Sequence, residues 1–239
     1  MDVSVILPVV NETYSLRQTV EIINETSSEY IKEYIIVVCK FTREESIEVI
    51  ENLKIDFPSL IFVHQQKLPY LGGAIREAFE LAKGSHLILM ASDLETDPWI
   101  VQNLIQEESR FEHGIVTTSR WISGGSFKGY SKIKYLFNWL FQKIISTLYW
   151  SDLTDMTYAY RIMPRDLVQK IKWEELRHPF LLETIIKPLM LKTPIKEIPA
   201  NWSARTEGES QNTFLRTFSY IKIALKVRLY KFKDLIKEV

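Results

Sequence analysis

Residues 90–98 read Met-Ala-Ser-Asp-Leu-Glu-Thr-Asp-Pro and follow directly on the apolar run 86–90. An apolar strand that runs into a cluster of carboxylates is one way to hold a divalent cation at the edge of a sheet. Hard cations such as Mg²⁺ take oxygen ligands and usually share them with a substrate's phosphates. Asp93, Glu95 and Asp97 alternate, so in an extended segment their side chains would lie on one side. The other reading is a polar turn in which Asp97-Pro98 opens a helix, since proline suits the first helical turn.

The elements that must carry this loop are legible in the first half of the chain. Residues 3–9 form an apolar strand, and 13–25 a helix with Leu16, Val20 and Ile23 at helical spacing. Residues 34–39 are a β-rich run of the kind buried on both faces. A helix follows over 42–53, with Thr42 and Glu45 spaced as a capping box. A third strand is expected over 60–64, a helix over 72–83 closed by Gly84, a fourth strand over 86–90 and a helix over 99–107. This alternation predicts a parallel sheet covered on both faces. Ligands of such sheets bind beyond the C-terminal ends of the strands, where Cys39-Lys40, the 65–73 loop and residues 93–97 all fall. Beyond residue 110 we expect a strand over 114–119, a Gly124-Gly125 loop and a long amphipathic helix over 130–150. A short helix near 164–171, a helix over 180–191, a strand over 195–199, a polar loop over 205–212 and a terminal helix complete the chain.

Composition excludes several classes. The 239 residues carry 30 Lys plus Arg against 30 Asp plus Glu, which argues against a generic nucleic-acid binder. The single cysteine, Cys39, leaves no internal disulfide framework and fits a reducing compartment. The N-terminus opens straight into a strand, so no cleaved signal is expected. No stretch supplies the roughly 18 uncharged apolar residues that span a bilayer. Two segments, 135–150 and 214–236, are rich in aromatic, apolar and basic residues, as helices in the interface of an anionic membrane are. Each reads equally as a core-covering helix with a solvated face.

The order of these pieces resembles the family 2 glycosyltransferases of GT-A fold, closest to the dolichol-phosphate mannosyltransferase-like branch. The resemblance rests on Val5-Ile6-Leu7-Pro8-Val9-Val10-Asn11-Glu12, Leu71-Gly72-Gly73-Ala74, Ser92-Asp93-Leu94, Ser119-Arg120, Gly124-Gly125 and Asp155-Met156-Thr157-Tyr158-Ala159-Tyr160-Arg161. A late Arg205-Thr206-Glu207-Gly208-Glu209-Ser210 completes a collinear set over about residues 3–212. The resemblance implies an α/β fold, Rossmann-like, with a mostly parallel central sheet flanked by helices. It implies a GT-A domain over 1–212 and a C-terminal amphipathic basic helix over 213–239. It further implies an inverting transferase taking a nucleotide-diphospho-sugar with Mg²⁺ or Mn²⁺, and a lipid-phosphate or glycan acceptor. No nucleic acid is involved, and the setting is cytoplasmic with contact at a membrane surface.

Residue by residue, the resemblance places Asp93 on the metal that bridges the donor diphosphate, with Ser92 beside it. Ala91 stands where the family has a further carboxylate, and Cys39-Lys40 where it has an Asp pair, the first Asp contacting the nucleobase. Pro8, Asn11 and Glu12 would face base and ribose. Lys67 is a candidate for a phosphate or the base, and Gly72 and Gly73 permit close approach at a helix start that attracts phosphate. Arg205, Gly208 and Ser210 would close over the donor, Arg205 offering a bidentate fork to phosphate oxygens. Arg120, Gly124, Gly125, Asp155 and Arg161 fall on the acceptor side, with Arg161 alternatively paired to Asp155. Glu183 matches an acidic residue below the acceptor: a general base for a sugar hydroxyl, or a structural partner of basic neighbours if the acceptor is an already anionic phosphate. The missing carboxylates at Cys39 and Ala91 keep a second class open, a non-catalytic module that binds nucleotide-sugars. A nucleotidyltransferase would want a Gly-rich basic loop after the first strand, and Val9-Val10-Asn11-Glu12 is not one.

Overall fold

The computed structural model of the chain describes residues 1–111, 114–204 and 217–238. Strand β1, Val3–Val9, is buried along nearly its whole length, as only a strand with both faces covered can be. Its alternate residues go to opposite faces. Val3, Val5, Leu7 and Val9 join Leu16, Val20 and Ile23 of α1 (Tyr14–Ser27) and Leu104 of α4 (Ile100–Phe111). Ile6 joins Ala74, Ile75 and Phe79 of α3 (Tyr70–Leu81) and Phe180 of α7 (Phe180–Met190). A sheet with helices on both faces follows from this two-residue period.

The remaining strands are β2 (Ile31–Val38), β3 (Ile61–Gln65), β4 (His86–Leu89), β5 (Ile115–Ser119), β6 (Ser126–Lys128), β7 (Arg161–Pro164), β8 (Ile195–Pro199) and β9 (Asn201–Ser203). Seven form one sheet in the order β3-β2-β1-β4-β7-β5-β8, while β6 and β9 pair alongside. All pairs in the main sheet are parallel except those of β7, which runs antiparallel between β4 and β5. The mostly parallel sheet is therefore as expected, but β7 was not foreseen. Four residues long, it owes its conformation to the neighbours it bridges rather than to its own periodicity.

The other helices are α2 (Glu44–Asp56), α5 (Lys132–Tyr149), α6 (Arg165–Lys170), α8 (Thr217–Arg228) and α9 (Phe232–Leu235). The expected Thr42 capping box does not form. The Thr42 hydroxyl instead donates to Val9 O at 2.8 Å and accepts from Cys39 N at 2.9 Å, tying the ends of β1 and β2 together. The single terminal helix expected over 214–236 is broken into α8 and α9. The boundary expected after residue 212 lies outside the described residues. Helix α8 packs Tyr220, Ile223, Ala224 and Val227 into a third core cluster with Phe141, Ile145 and Tyr149 of α5 and Leu182, Ile185 and Ile186 of α7. No helix among the described residues is long and apolar enough to cross a membrane.

Candidate active site

The parallel register brings the C-terminal ends of β1, β2 and β4 to one edge, Val9 pairing with Val38 and Ile6 with Leu89. Beyond β4 the acidic loop is not extended. Leu94 takes a left-handed conformation (φ 57°), and Asp93 Oδ1 accepts from Glu95 N at 3.1 Å, closing a tight turn. The segment is therefore not the extended one expected, and the three carboxylates take different hydrogen-bond partners, although Asp93 and Glu95 both lie near Tyr158 and Tyr160. Asp93 is buried. Glu95 Oε2 accepts from the Trp202 indole at 3.0 Å, and Asp97 Oδ1 accepts from Trp99 N at 3.1 Å at the start of α4. Ser203 N donates to Glu95 O at 2.9 Å, so β9 is stitched to this loop.

Tyr158 and Tyr160 lie beneath, their ring centroids 5.1 Å apart. Burial pushes both hydroxyls well above the usual tyrosine range. For Tyr160 the negative charge of Asp93 acts in the same direction, while for Tyr158 the guanidinium of Arg120 opposes the shift. Both rings are therefore neutral walls of the site.

Among the described residues no group of three His, Cys, Asp or Glu side chains converges on a point that could hold a metal. The donor set that is present is nonetheless all oxygen: the Asp93 carboxylate and the neighbouring Ser92 hydroxyl, which is buried and has no hydrogen-bond partner among the described residues. That set fits a hard cation carried by one carboxylate and completed by substrate phosphates and water.

Among the residues expected to bind the donor, Glu12 Oε2 accepts from Val10 N at 2.7 Å and Asn11 N at 3.1 Å, fixing the segment that follows Pro8 in β1. Cys39 sits in the turn after β2, its sulfur accepting from Phe41 N at 3.4 Å. Lys67 is exposed. Its backbone N–H and that of Leu68 donate to the Glu77 carboxylate, which holds the loop before α3. Helix α3 begins at Tyr70, so Gly72 and Gly73 lie within its first turn. A Cβ on Gly72 would stand 2.7 Å from the Leu176 carbonyl carbon, and one on Gly73 2.8 Å from Leu68. The close approach these glycines permit is thus of the chain to itself. Arg205, Gly208 and Ser210 lie outside the described residues.

Among the residues expected on the acceptor side, Asp155 is fully buried and grips Arg120 in a two-pronged pair, Nε–Oδ2 2.7 Å and Nη2–Oδ1 2.9 Å. Burial works to lower the Arg120 guanidinium, but the charge of Asp155 and its hydrogen bonds, with smaller contributions from Tyr158 and Tyr130, together outweigh it and hold it above its usual value. Gly124 adopts φ 93°, and a Cβ on Gly125 would meet Ser119 O at 2.7 Å, so both glycines are needed where the loop folds back on Arg120.

Asp155 makes its hydrogen-bonded ion pair with Arg120, not with Arg161. Arg161 is fully buried in β7 and donates to the Thr184 hydroxyl at 2.8 Å and the Leu181 carbonyl at 3.4 Å. Burial lowers it to about 9, with Asp155 and Glu197 pushing the other way. Glu183 is likewise fully buried. Its two oxygens accept from Glu174 N at 3.0 Å and Glu175 N at 2.9 Å, and Lys187 Nζ lies 2.7 Å from Oε1.

Sequence reasoning missed the aromatic cleft above Arg120. Trp121, Phe127, Tyr130 and Tyr135 wall an open space of about 380 Å³, with Lys132 at its edge. The Trp121 ring lies 4.6 Å from Phe127 and 4.5 Å from Tyr135, centroid to centroid, and the Arg120 guanidinium sits 4.9 Å from the Phe127 ring. The only signal in the sequence was the aromatic density of 135–150; Trp121 and Phe127 carried none.

The fold is that of an α/β domain with a mostly parallel sheet, and the chain belongs to glycosyl transferase family 2, whose pattern it matches over residues 4–172. The glycosyltransferase AglD of Haloferax volcanii is 23% identical over 210 residues, covering 86% of this chain and 34% of that protein. A dolichol-phosphate mannosyltransferase of Pyrococcus furiosus is 23% identical over 224 residues, covering 93% of this chain and 62% of that one. The chain thus spans about a third and about three-fifths of these two relatives. Among solved structures, glucosyl-3-phosphoglycerate synthase of Mycobacterium tuberculosis, determined with Mn²⁺, UDP and phosphoglyceric acid, superposes with a TM-score of 0.72 at 13% identity. That match covers 97% of this chain and 80% of that one, and it identifies the shared GT-A fold.

Proposed function

We propose that the chain carries the transfer domain of an inverting glycosyltransferase, which moves a sugar from a nucleoside diphosphate to a membrane lipid phosphate. The observation that carries this reading is the buried Asp93, with Ser92 beside it, at the C-terminal end of β4 in a family 2 fold. The phosphorylated, lipid-linked class of acceptor is suggested by the dolichol-phosphate mannosyltransferase relatives and by the aromatic cleft with Arg120 and Lys132.

In the proposed reaction an acceptor phosphate oxygen attacks the anomeric carbon from the face opposite the diphosphate. The new C–O bond forms as the bond to the diphosphate breaks, and the nucleoside diphosphate departs with the electron pair. A divalent cation held at Asp93 and Ser92 would neutralise the charge that gathers on the departing group. In this reading Pro8, Asn11, Glu12 and Cys39 would line the nucleoside end and Lys67 and the start of α3 would lie towards the phosphates, while Arg205, Gly208 and Ser210, outside the described residues, are assigned to the donor by the resemblance alone. Because the attacking oxygen is already anionic, no general base is needed. Glu183, held by Lys187 and two backbone amides, then serves as an anchor, as does Arg161.

A thermal-shift panel of UDP-, GDP- and dTDP-sugars with and without Mg²⁺ or Mn²⁺ tests this. Stabilisation by at least one donor, dependent on metal and lost in Asp93→Ala, is the expected result; a well-folded protein that responds to no nucleotide overturns it. Cys39 and Ala91, which stand where the family has carboxylates, favour one second reading, a module that binds nucleotide-sugar without transfer. Donor hydrolysis by the best binder, read as released nucleoside diphosphate, separates the two.

A further inference from the structure

Glu174 lies in the segment before α7, and its polar groups reach α3, α7 and the C-terminal part of the chain. Its carboxylate accepts from the Tyr230 hydroxyl at 2.7 Å, from Lys187 Nζ at 3.0 Å and from Lys226 Nζ at 3.2 Å. Tyr230 and Lys226 belong to the C-terminal part of the chain, at the end of α8 and just past it. The Glu174 carbonyl accepts from Arg76 of α3 at 3.1 Å, and its amide donates to Glu183.

From Glu174 the contact passes on within three residues. Leu176 O accepts from Gly73 N at 3.2 Å, and the backbone of 175–176 lies so close to Gly72 that no Cβ fits between. Arg177 donates to the Tyr70 hydroxyl at 3.0 Å and sits 4.0 Å from that ring's centre. Tyr70, Gly72 and Gly73 are the first turn of α3, and Tyr70 is held at φ 64°, a conformation rare for a tyrosine. A rare backbone conformation persists only where its surroundings over-determine it, and here residues 174–177 are those surroundings.

We infer that the C-terminal helix α8 is built into the donor side of the site. Through Tyr230 and Lys226 it holds Glu174, and Glu174 sets residues 174–177 against the first turn of α3. Glu174 and Tyr230 are therefore positioning residues. They touch no substrate, and they fix the helix start that faces the donor phosphates. The link to donor binding rests on the function proposed above; the mechanical coupling of α8 to α3 does not.

Amide hydrogen exchange tests the coupling directly in the full chain. In Tyr230→Phe, which removes a single hydroxyl, the amides of residues 70–76 should exchange about tenfold faster than in the wild type, the size expected for one hydrogen bond to a charge. Lys226→Ala, at an exposed position, should raise them by less, and the amides of β1 and β2 should be unchanged in both. Unchanged exchange at 70–76 in both variants overturns the inference, as does an equal rise throughout the molecule. Titration with UDP and with GDP, each with Mn²⁺, then reads the consequence. The nucleotide that binds the wild type should bind Tyr230→Phe about tenfold more weakly, in step with the exchange. A wild type that binds neither nucleotide removes the proposed function while the exchange result still decides the coupling. Binding that is equal in both proteins despite faster exchange leaves α8 coupled to α3 but overturns the positioning role.

Discussion

Two buried charges, Arg120 and Asp155, form a two-pronged ion pair to which Gln142 adds a hydrogen bond at 3.2 Å, which makes single substitutions there expensive. Asp155→Ala leaves a guanidinium with 8% exposure and no counter-charge, and we expect a loss of about 3–5 kcal/mol in urea unfolding. Arg120→Ala should cost a comparable amount, and the double substitution less than the sum, since the two residues share one interaction. Gly72→Ala is a different kind of lesion. The new methyl meets the backbone of Leu176 and Glu175 rather than a side chain that can turn aside. Overpacking of about 1–3 kcal/mol is expected, read from the denaturation midpoint. At this scale Asp93 was legible in the sequence because its type and its place after an apolar strand coincide. The partners of Asp155 and Glu183 were not, because a carboxylate's neighbour in space is set by strands and helices far apart in the chain.

Helices α7 and α8 and the segment between β7 and α7 meet at the cluster of Glu174, Glu183, Lys187, Lys226 and Tyr230. Burial works to raise the Glu174 carboxyl, but hydrogen bonds from Tyr230, Lys187 and Lys226 outweigh it and hold it at about 2. Because this lies below the ordinary 4.5, the stabilisation Glu174 contributes is complete above that value and is lost as pH falls towards 2. Wild type and Glu174→Gln should therefore differ in unfolding midpoint at pH 6 and converge as the pH is lowered from 4.5 to 2, measured by urea unfolding across that range. Element boundaries in the first half were readable from periodicity because each strand and helix there buries a regular stripe. Strand β7, the turn at Leu94 and the break between α8 and α9 were not, since each is fixed by what it packs against.

Taken whole, the described residues present an exposed apolar surface on one side. Along the first half of α5, Ile133, Leu136, Trp139 and Leu140 are exposed beside Lys132 and Lys134, and Tyr135 of the same helix walls the aromatic cleft. A lipid-phosphate acceptor would enter the cleft from that surface. Co-sedimentation with vesicles containing anionic lipid should retain the wild type. Leu136→Glu with Leu140→Glu should release it at unchanged thermal stability, since both side chains are already in solvent. Retention of the double variant would remove the membrane from the proposal.

The sequence by itself determined the alternating strands and helices, the sheet edge that gathers Glu12, Cys39 and Asp93, and the family. Each of these depends on local pattern: a two-residue or helical period, a glycine or a carboxylate at a strand end. Tertiary structure decided that the acidic loop turns at Leu94, so that Asp93, Glu95 and Asp97 each take a different hydrogen-bond partner. It also gave Arg120 to Asp155, closed Gly72 against Leu176 and joined α8 to α3 through Glu174. Those outcomes turn on which distant backbones are pressed together, and burial then forces each polar group to take whatever partner that packing brings within reach.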